Sequence, residues 1–458
     1  MAEAFSVLIM AAGQGTRMRS SLPKALHPVC GRPMVEWVIE AARGAGAREV
    51  VCVTRPGDDV AAGLPGGVAV AEQRTGEGTG AAVLAAREAV SPGATVAILS
   101  ADHPLLAAEL LAELVATHRR ESAAATILTT SSIDPAGYGR IVRADDGSVE
   151  QIVETKHSEG LTAGELALRE VNLGTYVFDA DLLYAALEGV GTEHGEIYLT
   201  GALPPLRDRG GRLATHATDD PSSAMGINTR LDLMDLERLA QRRILERHAL
   251  AGVSFEAPES VRIDAGVRIG GDTTVGTGVT LRGSTTVGAG CEIGPQTTIV
   301  DSAIADGAAC IHSYVTGARV EAGAQIGPFA YLRPGAEIGP GAKIGTFVEV
   351  KNSDVGAGAK VPHLSYLGDA DVGEGANVAA GNVTANYDGF AKHRTKIGSG
   401  VRTGVNSSFV APVVVGDGAY IGAGSVITRD VPPGALGISR PEQANVEGYA
   451  ERIENERR

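Results

Sequence analysis

Ile263-Asp264-Ala265-Gly266-Val267-Arg268-Ile269-Gly270-Gly271-Asp272-Thr273-Thr274-Val275-Gly276 opens the stretch that decides the fold of this 458-residue chain. From Ile263 an aliphatic residue recurs every six positions, at Ile269, Val275, Leu281, Val287, Ile293 and Ile299. The step returns at Ile326, Leu332, Ile338, Ile344 and Val350, and again at Val415, Ile421 and Ile427. One aliphatic in six matches neither the helical period nor strand alternation. It fits a triangular coil with three short strands per turn, each sending one side chain inward, with glycine and small residues at the corners. Such coils bury a core only by stacking. About 175 residues at 18 per coil make roughly ten coils. The register shifts after Ile299 and near Val350 are read as short insertions that bulge. A larger break, Thr384 to Lys396 (TANYDGFAKHRTK), is read as an external loop. Its Asn386-Tyr387 and Lys392-His393-Arg394 favour a functional loop over a bare insertion.

Working toward the N-terminus, residues Thr229 to Ala251 lack Gly and Pro and place Leu233, Leu236, Ala240 and Ile244 at helical spacing. Asn228-Thr229 supplies a cap and Gly252 a stop, so one long helix is expected as a strut. Before it, short apolar strands (Val7–Met10, Val50–Val53, Val96–Leu99) alternate with helical stretches (Met34–Ala42, Ala81–Ala89). That alternation predicts a parallel α/β sheet whose ligands bind at the carboxyl ends of the strands. The expected domains are therefore 1–228, a helical linker 229–251, and an all-β parallel β-helix over 252–458.

Composition narrows the function. A net charge of −15 disfavours nucleic acid or an anionic membrane as the main partner. Only 4% of residues are aromatic, which suits a core of Val, Ile, Leu and Ala. Cys30, Cys52, Cys291 and Cys310 form neither a metal-type pair nor a disulfide framework, so free thiols are expected. The N-terminal stretch MAEAFSVLIMAAGQGTRM has no basic leader, and no apolar run reaches the ~20 residues of a membrane span. The expected location is the cytoplasm.

Two sets of residues carry chemistry. Met10-Ala11-Ala12-Gly13-Gln14-Gly15-Thr16-Arg17-Met18 follows the first strand and offers backbone N–H groups and Arg17 to phosphates. Leu22-Pro23-Lys24 brings a second cation to the same strand end. In the back half, Arg333 and Lys351 are 18 residues apart, one coil, and so form a phosphate clamp on one face. His363 follows 12 residues later, two faces on.

The AAGxGTRM-type loop with its Leu-Pro-Lys resembles the sugar-1-phosphate nucleotidyltransferase signature. With the hexad half, nearly the whole chain resembles the family of bifunctional N-acetylglucosamine-1-phosphate uridyltransferase/glucosamine-1-phosphate acetyltransferases of bacterial cell-envelope synthesis. The resemblance implies a Rossmann-like front domain and a left-handed β-helix. It implies a uridylyl site with Met10, Ala11, Ala12, Gly13, Lys24, Gln73, Gly78, Thr79, Ser100, Ala101, Asp102, Gly139, Glu154, Asn172 and Asn228. Magnesium would sit on Asp102 and Asn228, and Lys24 and Arg17 would neutralise charge; such transfers rest on positioning and charge. In the back half it implies His363 as general base, with Arg333, Lys351, Tyr366, Asn377, Asn386, Tyr387 and Lys392 at the acetyl acceptor. Ala380, Val405, Ala423 and Arg440 would meet acetyl-CoA. Lys392 would reach a neighbouring chain's site in a homotrimer. The substrates implied are UTP, glucosamine 1-phosphate, N-acetylglucosamine 1-phosphate and acetyl-CoA. The chain departs from the family pattern at Glu77, Ala101, Gly201 and Val405.

Two other readings remain at this point. One is an acetyltransferase whose front domain no longer transfers nucleotides. The other is a hexapeptide-repeat metalloenzyme of the γ carbonic anhydrase kind, which needs three converging histidines; His312, His363 and His393 lie in unrelated contexts.

Overall fold

The structure, a computed structural model, describes residues 4–155, 161–193 and 195–458, so the first three residues of the N-terminal stretch lie outside it. The chain divides into two compact units, Met1–Arg242 and Arg243–Arg458.

In the first unit the strand Ser6–Met10 lies in the middle of the sheet, with Val7, Leu8 and Ile9 fully buried. Glu49–Thr54 and Thr95–Ser100 flank it in parallel, and Ala69–Glu72 extends the sheet in parallel beyond Glu49–Thr54. Burial on both faces explains why these strands read as continuous apolar runs. Val7 and Ile9 pack into one core cluster with Val35, Val38 and Ile39 of the helix Met34–Gly44. Leu8 packs into the other, with Ala82 and Val83 of the helix Thr79–Ala85. Two expectations need correction. The sheet is mixed, because Val171–Asp179 runs antiparallel between Thr95–Ser100 and Ala125–Thr130. The antiparallel pair Arg140–Arg143 and Val149–Val153 and then the short helix Ala163–Ala167 precede that strand, and Val171 pairs antiparallel with Arg140. The helix expected over Ala81–Ala89 ends at Ala85, where Ala86 N–H turns to the Val83 carbonyl and a 3₁₀ turn, Arg87–Ala89, follows.

The helix Arg230–Leu250 starts where the cap was expected. Asp232 N–H donates to Thr229 Oγ1 at 3.2 Å, and the Asp232 carboxylate accepts from Asn228 and Thr229 N–H at 2.9 and 2.8 Å. Leu236, Ala240 and Ile244 are buried; Leu233 is only half-buried. The division between the two units falls inside this helix.

The second unit is a coil of three parallel sheets with ten, nine and seven strands. Ile263, Leu281 and Ile299 point inward from the first face, Ile269 and Val287 from the second, Val275 and Ile293 from the third. Each such burial is worth ~1.5–3 kcal/mol, so the hexad is the core. The register shifts are shortened steps of five, not insertions: Ile299 to Ile304, Cys310 to Val315, Val315 to Val320, Val350 to Val355 and Leu367 to Val372. Their corners turn at Asp301, His312, Gly317, Asn352 and Asp369, with φ of 46, 45, 54, 46 and 50°. Backbone in that left-handed region bends sharply enough to need no extra residue. The loop is also shorter than expected. Thr384 is buried within Val383–Ala385, and Thr395–Ile397 is already the next strand of the second face, leaving residues 386–394 as the excursion.

All four cysteines are buried free thiols, and burial pushes Cys52 and Cys310 up to about 12. No helix among the described residues is long and apolar enough to cross a membrane.

Candidate active sites

The front site is assembled at the carboxyl ends of the parallel strands. Ala11 N–H donates to the Val53 carbonyl (2.9 Å) and Ala101 N–H to the Met10 carbonyl (3.1 Å), which brings the three strand ends together. Gly15 has φ 60°, and a Cβ there would lie 2.7 Å from Lys24 Cβ; only glycine lets Lys24 close on the loop. Ile227 N–H donates to the Asp102 carbonyl at 3.0 Å, docking the Gly226-Ile227-Asn228 segment beside Asp102 although 125 positions separate them in the chain.

Five side chains meet there. Lys24 Nζ lies 2.5 Å from Asp102 Oδ2 and 3.1 Å from Asn228 Oδ1. Arg17 Nη2 donates to the same Asn228 oxygen at 2.8 Å, and Ser100 Oγ donates to Asp102 Oδ1 at 2.5 Å. Burial pushes the Asp102 carboxyl upward, but His103, Lys24 and the two hydrogen bonds outweigh it and hold the group below the usual carboxylate range. The surrounding cleft, about 700 Å³, is lined by Met10, Ala11, Ala12, Gly13, Arg17, Lys24, Gln73, Gly78, Thr79, Ser100, Ala101, Asp102 and Asn228.

Gly139, Glu154 and Asn172 are not in that lining; they form a neighbouring group. Asn172 N–H donates to the Gly139 carbonyl at 2.9 Å, and the Asn172 side chain is held by Tyr176 and Gly174 at 2.7 and 3.0 Å. Glu154 accepts from Thr200 Oγ1 at 3.1 Å, while Leu199 N–H donates to Thr79 Oγ1 at 2.9 Å, so one short segment touches both groups. Gly201 packs where a Cβ would meet Val190 Cγ1 at 2.8 Å.

Arg55 in the cleft lining and His103 beside Asp102 escaped the sequence reading. Arg55 Nε donates to the Ala12 carbonyl at 2.6 Å, and its guanidinium pairs with Glu77 at 3.2 Å. His103 lies 3.7 Å from Asp102. The signal for Arg55 was its place just past a parallel strand, where such sheets bind ligands.

The candidate back-site residues occupy one coil face, its two corners and, at Asn377, the adjoining third face. Leu332 pairs with Val350, and Arg333 N–H donates to the Val350 carbonyl, so Arg333 and Lys351 do sit one coil apart on the same face. Neither cation is bare. Arg333 pairs with Glu349 at 2.9 Å, and Lys351 with Asp369 at 3.1 Å. Tyr366 lies on the next coil of that face, in register with Glu349. His363 ends the third-face strand Lys360–His363, is exposed, and donates no ring hydrogen bond to another described residue. Asn377 is exposed on the third face, bridged to Lys360.

The residues that resemblance assigned to acetyl-CoA stack in one column at the corner below His363. Gly381 N–H donates to the His363 carbonyl, Asn406 to Ala380 and Gly424 to Val405, at 3.3, 2.8 and 2.8 Å. Arg440 Nη1 donates to the Ala423 carbonyl at 2.9 Å. At the opposite corner Asn386 leads into the loop, where Asp388 accepts from Phe390 and Ala391 N–H at 2.8 and 2.7 Å and pairs with His393 at 2.7 Å. These contacts order the turn carrying Tyr387 and Lys392.

Asp369 was also missed. It lies 18 residues after Lys351, so the step that linked Arg333 to Lys351 reaches it when taken once more.

Residues 7–163 match the MobA-like NTP transferase domain family, and residues 317–352 and 394–429 match the bacterial transferase hexapeptide family. Among curated relatives, the "Bifunctional protein GlmU" of Mycolicibacterium gilvum (strain PYR-GCK) is 47% identical over 98% of this chain and 92% of its own length. The protein so named from Mycobacterium tuberculosis (strain ATCC 25177 / H37Ra) is 44% identical over 98% and 92%. A solved UDP-glucose pyrophosphorylase complexed with UDP-glucose aligns with 53% of this chain and all of its own, at TM-score 0.43 and 16% identity, too distant to bear on the argument.

Proposed function

The chain belongs to the bifunctional GlmU family, and from that premise we infer that it makes UDP-N-acetylglucosamine in two steps at two sites. It is a nucleotidyltransferase and an acetyltransferase, since the relatives align across both halves and each half matches its own transferase family. That coverage speaks against both the acetyltransferase-only and the carbonic anhydrase readings. The observation that carries the front assignment is the meeting of Lys24, Arg17, Asp102 and Asn228 in one cleft.

In the back site, glucosamine 1-phosphate would place its phosphate against Arg333 and Lys351, with Tyr366, Asn377, Asn386 and Tyr387 around the sugar. The amine attacks the thioester carbonyl of acetyl-CoA. A C–N bond forms, the C–S bond breaks, His363 takes the amine proton, and coenzyme A leaves as thiolate. The column Ala380, Val405, Ala423 and Arg440 would hold the acyl donor. Lys392 would act in a neighbouring chain's site in a homotrimer.

In the front site, a phosphate oxygen of N-acetylglucosamine 1-phosphate attacks the α-phosphorus of UTP and pyrophosphate leaves. Gln73, Gly78 and Thr79 would receive the uracil, and Gly139, Glu154 and Asn172 the sugar. Arg17 and Lys24 neutralise charge on the phosphates, so no protein nucleophile is needed. A divalent metal, magnesium in our reading, fits Asp102 and Asn228: two hard oxygen donors already converge on one cation, the Lys24 ammonium, and Asp102 is kept ionised. Bound there, it would supply further charge neutralisation. The functional domains are taken as 1–228 and 252–458 about the linking helix, and the setting as the cytoplasm.

The test is one incubation with glucosamine 1-phosphate, acetyl-CoA, UTP and magnesium, with products identified by mass. UDP-N-acetylglucosamine, pyrophosphate and coenzyme A are expected. Acetylated sugar phosphate without nucleotide sugar would overturn the front assignment.

A further inference from the structure

We propose that Asp369 is the positioning residue of the acetyl-acceptor site, setting Lys351 and both ends of the 386–394 loop relative to one another; this rests on the acceptor reading above. Asp369 is an uncommon choice for its place. Its backbone is left-handed (φ 50°) and its side chain is only 9% exposed, so the carboxylate sits in a corner where a charge is costly unless it is matched. It is matched three times over. Lys351 Nζ donates to both oxygens, at 3.2 and 3.1 Å. Asn352 Nδ2 donates to Oδ1 at 2.6 Å, and Asn386 Nδ2 donates to Oδ2. Burial would raise this carboxyl, yet the donated bonds and the ammonium hold it below its usual range.

The backbone of Asp369 completes the arrangement. Its N–H donates to the Lys351 carbonyl at 3.0 Å, and its carbonyl accepts from Thr395 N–H at 3.1 Å. Thr395 is where the chain returns from the excursion, and Asn386 is where it leaves. One residue therefore grips the loop at both ends and the phosphate-facing ammonium at once. Without its charge, Lys351 would be free to swing, and the Asn386 amide would lose the acceptor that orients it.

The experiment compares Asp369→Asn with the parent in acetyl transfer, varying glucosamine 1-phosphate and acetyl-CoA separately. We expect KM for glucosamine 1-phosphate to rise about 10- to 100-fold, the usual cost of unpairing a hydrogen-bonded charge, while KM for acetyl-CoA stays within about twofold. Because Asp369 acts through Lys351, adding Asp369→Asn to Lys351→Ala should raise KM far less than it does alone. An unchanged acceptor KM, an equal rise for both substrates, or full additivity with Lys351→Ala overturns the proposal. If Lys351→Ala itself acetylates with parental constants, the acceptor reading fails instead. Should Asp369→Asn lose its β-helix by circular dichroism, Asn352→Ala removes one donor and keeps the charge. A selective, smaller rise in acceptor KM is then expected, and no rise overturns the proposal.

Discussion

Lys24 Nζ stands 2.5 Å from Asp102 Oδ2 and 3.1 Å from Asn228 Oδ1, occupying the point on which the two oxygen donors converge. The ammonium thus balances Asp102 in the free protein and must share it with any divalent cation that enters. Asp102→Ala should lower nucleotidyl transfer by about 10²- to 10³-fold or more, the scale set by losing one preorganised electrostatic contact. Acetyl transfer by the same sample should change less than twofold, because the two sets of residues lie in separate compact units. Parallel assays of pyrophosphate and coenzyme A release read this directly; a joint loss in folded protein contradicts the two-site account.

His363→Ala should slow acetyl transfer by about 10²- to 10⁴-fold, the range for a positioned general base. KM for glucosamine 1-phosphate should hardly move, since Arg333 and Lys351 remain. Replacing either cation should do the reverse. Steady-state constants for the three variants separate these outcomes, and a near-parental turnover in His363→Ala would make His363 structural.

Gly78 has φ 97°, and a Cβ there would lie 2.5 Å from the Ile197 carbonyl oxygen. Gly78→Ala should destabilise the first unit by roughly 1–3 kcal/mol through backbone strain and displace the loop that Gln73 ties down. Urea unfolding of the isolated front fragment, with nucleotidyl assays, checks both. Parental stability would show that the loop moves aside freely.

A carboxyl held below its usual range stabilises the fold above its unfolded pKa and loses that contribution as pH falls through its folded one. Asp369 is such a group. The gap in Tm between the parent and Asp369→Asn should be full near neutrality and close below about pH 4. Thermal melts across this range would refute the sign if the gap widened in acid.

Cleavage within the helix Arg230–Leu250 should leave a front fragment with nucleotidyl transfer and a back fragment that still self-associates. Each unit has its own core. Size-exclusion chromatography with activity assays tests this. A folded but inactive front fragment would mean that its cleft depends on the β-helix.

The coil was legible because its period is its packing. Every sixth aliphatic residue is buried, and 18 residues return the chain to the same face, so spacing alone put Arg333 above Lys351. The strand ends bearing Met10 and Asp102 were legible for a similar reason: fully buried parallel strands announce themselves as apolar runs, and their loops face ligands. Spacing could not give the sign of the register shifts. Both a lost and a gained residue break a hexad, and only the strand pairing across Asp301 and Asn352 shows that the corners are shortened. Nor could it show that Val171–Asp179 runs antiparallel, since direction depends on the route by which a strand is entered.

Periodic burial repeats at fixed sequence intervals, so the chain alone dictated the β-helix, the capped helix after Asn228 and the glycine-rich loop before Lys24. Charge pairing across distant segments follows no interval. Asn228 reaches Asp102 through one backbone hydrogen bond from Ile227, Arg55 pairs with Glu77, and Asn386 at the start of the loop reaches Asp369. Those meetings depend on where folded loops come to rest, and only the three-dimensional packing decides that.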